Sequence, residues 1–144
     1  MPKNNKTTHW FAALALAAWG ALLIRVIVFK KIPTIHIGHM RYRFGGSYRT
    51  GRPNFVPFKT IGPQLHGRGN VLIAKANLLG NILPFLPVGF LAPFVFRKMT
   101  WANAIVFAVG TGLLMEVLEA VFQVGIFDVD DVLLNAFGVL LGYT

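Results

Sequence analysis

Five carboxylates could do chemistry in this chain: Glu116, Glu119, Asp128, Asp130 and Asp131, its only acids. All five lie inside or beside apolar helical segments. An ionisable side chain within a membrane span is a functional-site candidate by default. Asp128 and Asp131, three residues apart at a helix start, can hold Mg²⁺ with Asn135, because hard cations take oxygen ligands. Glu116 would then serve as general base. Glu116 and Glu119, one turn apart, can instead share a proton, pair with Arg or Lys, or hold a cation. A competing structural reading makes these groups helix glue, with Asp128 a simple N-cap.

Other chemistry is thin. There is no cysteine, hence no disulfide, thiol nucleophile or zinc-thiolate site. His36 and His39 form a weak metal pair. No Gly-rich phosphate cradle precedes a helix, and no Ser-His-Asp set has supporting spacing.

The elements that must position the acids are those of an integral membrane protein. The 144 residues suit one domain. Composition is 55% hydrophobic and 13% charged, against about 25% charged in a soluble domain. The net charge of +9 comes from Lys and Arg residues confined to positions 3–98. They flank apolar spans, so anionic headgroups are the expected partner and nucleic acid is not.

The expected fold is all-α with about four transmembrane helices, at 10–29, 76–96, 101–122 and 129–143. A cleaved signal peptide is the competing reading of the first, against which its apolar run continues past Ala15-Leu16-Ala17 to Phe29. The second is Pro-broken at Pro84, Pro87 and Pro93, and the last is short for a span. Between the first two lies a basic loop, 30–71, read either as lying partly on the membrane surface with Phe55, Val56 and Phe58 dipping in or as a plain solvated loop. Within it Met40, Tyr42 and Phe44 alternate with Arg41 and Arg43, the pattern of a short strand. Arg41, Arg43, Arg52 and Lys59 are its candidate headgroup contacts.

Each acidic helix carries one polar stripe. At 100° per residue, Gly112, Glu116, Glu119 and Gln123 fall within about 60°. Asp128, Asp131, Asn135, Gly138 and Gly142 fall within about 80° by the same count. Asn77 and Asn81 share a face of the second span. Turned inward, the three stripes form a polar ligand-binding cavity of Asn77, Asn81, Glu116, Glu119, Gln123, Asp128, Asp131 and Asn135. Facing lipid, a charge at a helix centre would cost ~2.5–3.5 kcal/mol. Asp130 falls off the stripe and is expected to meet water.

The segments Arg52-Pro-Asn-Phe-Val-Pro-Phe-Lys-Thr-Ile61, Gly80-Asn-Ile-Leu-Pro-Phe-Leu-Pro-Val-Gly-Phe-Leu-Ala-Pro93 and Gly125-Ile-Phe-Asp-Val-Asp-Asp-Val-Leu-Leu-Asn135 resemble the VanZ-like family of bacterial membrane proteins. The resemblance covers about residues 52–143 in consistent order. The family pattern has Glu-x-x-Gln ahead of the Asp motif; here Glu116 takes the Glu position and Glu119 the Gln position. Many relatives carry an Arg shortly before the first Asp, where this chain has Gly125 and Ile126. The resemblance implies a multi-pass protein of the bacterial cell membrane. Its founding members are associated with reduced susceptibility to teicoplanin-type, lipid-tailed glycopeptides.

Three functions compete. The first is a non-enzymatic envelope protein binding an amphipathic ligand, either a lipid-linked cell-wall intermediate or a lipoglycopeptide. The second is a membrane enzyme acting on a lipid headgroup through the carboxylates. The third is a small ion-coupled transporter, which at this size would need a homo-oligomer. Orientation is divided: the count of Lys and Arg puts the long loop in the cytoplasm, while the family's association with extracellular drugs puts it outside.

Overall fold

A computed structural model describes residues 6–28, 35–37, 40–42, 52–66, 71–96 and 98–144. It is mostly helical. The elements are α1 (Lys6–Ile27), β1 (Ile35–Ile37), β2 (Met40–Tyr42), α2 (Ile61–Leu65), α3 (Val71–Ile82), a 3-10 turn (Leu83–Phe85), α4 (Leu86–Val95), α5 (Trp101–Val121) and α6 (Val129–Tyr143). Among the described residues, three helical stretches are long and apolar enough to cross a membrane: Lys6–Ile27, Ala74–Val95 and Trp101–Val121. The strand read from alternation is present at Met40–Tyr42, paired antiparallel with Ile35–Ile37. Phe44 and Arg43 lie outside the described residues.

Proline placement explains the middle of the second stretch. Pro84 and Pro87 fall at the first positions of the 3-10 turn and of α4, where a missing N–H costs least. The Trp19 indole of α1 donates to the Pro84 carbonyl at 2.8 Å, so the turn is also where α1 docks. Near the other end of α1, His9 Nδ1 lies 3.3 Å from the Phe94 carbonyl, which makes α1 and α4 antiparallel.

α6 is the central helix. Val132, Leu134, Asn135, Ala136, Gly138 and Val139 are all buried in it. Apolar burial drives little association in lipid, so contact depends on backbones approaching closely at small residues. Gly112 of α5 lies where an added Cβ would come 2.6 Å from the Val132 carbonyl oxygen. Gly138 meets the Ile82 carbonyl and Phe85 in the same way, and Gly89 and Gly142 bring α4 against Val139 and Leu86 against α6.

These contacts fix an antiparallel register between α5 and α6. Glu116 bonds Asp128, Gly112 faces Val132, and Trp101 packs edge-on against Tyr143 at 4.8 Å. The fifteen residues of α6 therefore match only the part of α5 from Trp101 to Glu116. The last turn and more of α5 has no counterpart in α6.

Candidate functional site

The site forms where that register leaves a gap. α5 ends at Val121 and the chain turns back through Gln123, which has a left-handed φ of 55°. Val124 and Gly125 both donate their N–H to the Glu119 carbonyl, closing the helix end. Asp128 then caps α6, accepting from Asp130 N–H at 3.0 Å. The Asp128 N–H donates to Glu116 Oε2 at 3.0 Å, tying the cap to α5.

The loop from Arg52 to Thr60 fills the rest. Asn54 exchanges backbone bonds with the turn: its N–H reaches the Phe127 carbonyl at 2.9 Å, and its carbonyl takes the Val129 N–H at 3.0 Å. Phe55 stacks on Phe127 with centroids 5.2 Å apart. The Asn54 amide donates to Asp128 Oδ1 at 2.8 Å and the Thr60 hydroxyl to Oδ2 at 2.6 Å. Both oxygens of Asp128 are thus engaged in holding the loop.

Asp130 is a correction. The helical wheel sends it to water, yet it is fully buried. Its carboxylate accepts the backbone N–H of Phe58 at Oδ1, and those of Thr60 (2.7 Å) and Ile61 (3.1 Å) at Oδ2. The wheel fails because the partner is not solvent but a loop some seventy residues away in sequence. Three convergent N–H groups around one carboxylate form an anion nest made by the chain for its own side chain.

The remaining expected site residues divide. Asn81 donates to Asp131 Oδ1 at 2.7 Å, joining α3 to α6. Asn77 reaches Gln64 of α2 at 3.4 Å. Glu116 is buried, and Glu119 is half-buried with its carboxylate lying over Gly125. Asn135 is buried and its Oδ1 has no hydrogen-bond partner among the described residues. Gln123 is exposed on the turn and does not join the others. Arg52 and Lys59 are exposed on the loop, Arg41 lies in β2, and Arg43 is outside the described residues. Among the described residues, no three His, Cys, Asp or Glu side chains come together as a metal site.

Sequence reasoning misses Asn54 and Thr60 as well as Asp130. Asn54 and Thr60 sit within the first of the segments quoted above and Asp130 within the last; their co-occurrence was the available signal.

Chemically, the arrangement is a hydrogen-bonded platform. Buried aspartates shape a loop that presents Phe55, Val56 and Phe58 outward at 70%, 58% and 63% exposure, between Arg52 and Lys59. The sequence model of the VanZ/LLP1 family matches residues 12–144. No curated protein and no solved structure matches the chain.

Proposed function

This chain belongs to the VanZ/LLP1 family, and from that membership and the clamped loop we propose a multi-pass protein of the bacterial cell membrane that binds an amphipathic ligand. The ligand is a membrane lipid, a lipid-linked cell-wall intermediate or a lipid-tailed glycopeptide. Its capture lowers susceptibility to teicoplanin-type antibiotics. The single observation that carries this reading is the outward face of the loop, where three large apolar side chains stand between two cations. Apolar side chains take an acyl tail, and Arg52 and Lys59, with Arg41 and Arg43, attract an anionic headgroup.

The competing enzymatic reading loses ground to the same geometry. A carboxylate with both oxygens engaged by Asn54, Thr60 and Asp130 N–H is a structural cap rather than a free ligand for Mg²⁺.

The test is susceptibility of cells expressing the wild type or an Arg41→Ala, Arg43→Ala, Arg52→Ala triple variant. Each cation near an anionic surface contributes about 1 kcal/mol, so losing three weakens binding by roughly a hundredfold. Wild type raises resistance to a lipid-tailed glycopeptide and the triple variant does not. Equal susceptibility of the two strains, with equal lipid binding by the purified proteins, refutes the reading.

A further inference from the structure

The depth of the loop follows from the helix register. Asp128 lies level with Glu116, five residues before α5 ends at Val121. At 1.5 Å per residue that is about 7.5 Å below the end of a helix just long enough to span. A second ruler agrees: Asn81, bonded to Asp131, lies seven residues into the Ala74–Val95 span, about 10 Å by the same rise. The loop is bonded backbone to backbone at this level through Asn54. It does not ride above the helix ends.

Non-helical backbone at such depth is tolerated only where its polar groups are satisfied by protein or by trapped water. Most of the segment's N–H groups meet that condition; among the described residues, those of Phe55 and Lys59 find no protein acceptor. Pro53 and Pro57 have no N–H to satisfy. The N–H groups of Asn54, Val56, Phe58, Thr60, Ile61 and Gly62 all donate within the protein: to the Phe127 carbonyl, the Asn54 side chain, Asp130 three times, and the Phe58 carbonyl. The segment's outward side chains are Phe55, Val56 and Phe58, and its exposed cations have stems long enough to snorkel.

We propose that residues 54–61 are a re-entrant segment whose Phe55, Val56 and Phe58 face the acyl chains of the bilayer, with Asp128 and Asp130 as its internal hydrogen-bond acceptors. The acids are in the hydrocarbon because this backbone is. The assignment goes beyond ligand binding and is tested without any glycopeptide.

The absence of cysteine makes single-site labelling clean. Spin labels are placed at Val56→Cys, Val117→Cys and Lys98→Cys in the full chain, in phosphatidylglycerol–phosphatidylethanolamine vesicles. Collision rates are then measured with oxygen and with a water-soluble nickel chelate. The oxygen-to-nickel ratio at residue 56 should match that at 117, on the exposed face of α5, and exceed that at 98 several-fold. A ratio at 56 equal to that at 98 overturns the proposal. Adding Asp130→Asn to the Val56→Cys protein should raise nickel access, with circular dichroism and size-exclusion profiles unchanged. If the ratio at 56 stays lipid-like in that folded variant, Asp130 is not the acceptor that permits re-entry.

Discussion

Replacing Asp130 with alanine should release the loop while leaving the helices in place. The side chain accepts three backbone N–H groups, and hydrogen bonds to charged acceptors contribute about 1.5–3 kcal/mol each. Left buried and unpaired, the three donors would cost roughly 3–9 kcal/mol together. The loop escapes that penalty by undocking, so the observable cost is capped at its docking free energy. Asp130→Asn is the graded control. An amide oxygen can face either Phe58 or the Thr60–Ile61 pair, so at most two of the three bonds survive. One lost bond corresponds to roughly a ten- to hundredfold faster opening. Hydrogen exchange at Phe58, Thr60 and Ile61 reads this directly, and trypsin reads it at the Lys59–Thr60 bond. Protection should fall from wild type to Asn to Ala. Equal protection in wild type and Asp130→Ala would refute the argument that this carboxylate holds the loop.

Other outcomes follow from packing and pairing. Gly112→Ala should lower the thermal midpoint in detergent, costing about 1–3 kcal/mol as its Cβ meets the Val132 carbonyl. Gly110→Ala, with nothing within 4 Å, should be neutral or stabilising by up to about 1 kcal/mol, so equal effects at the two sites would remove the register argument. Asn135→Leu should raise the midpoint, by about 1–2 kcal/mol, because it removes a buried carbonyl that has no partner; a fall would mean that the oxygen is bonded to something the chain does not supply. Trp19→Phe should cost about 1 kcal/mol by breaking the bond to the Pro84 carbonyl, detectable as faster exchange in α1.

Legibility in the sequence tracked the range of the interaction. The long helices are visible because each is a long, predominantly apolar run, and the Met40–Tyr42 strand because alternation is a local pattern. The wheel brings Gly112 and Glu116 to α6 because both sit within one regular helix. It fails at Gln123, where the helix has already ended in a left-handed turn without the glycine that usually announces one. Failure at Asp130 has a different cause. No helical periodicity records that a loop from the other half of the chain will arrive with three donors. Periodicity could not mark Asn54 and Thr60 as site residues for the same reason: neither is unusual in a polar loop until Asp128 is placed beside it.

The sequence separation of the clamp also orders the events of folding. Phe58 and its acceptor on Asp130 are 72 residues apart, and α3, α4 and α5 lie between them. When the loop leaves the ribosome its N–H groups have no protein partner, and hydrocarbon would offer none. It must therefore wait in water while the intervening helices insert. Only after the cap at Asp128 forms beside Glu116 does an acceptor exist at the right depth. Loop docking is in this sense the closing step of assembly, and a defect anywhere in the α5–α6 turn should leave a chain that is inserted, helical and open at one end.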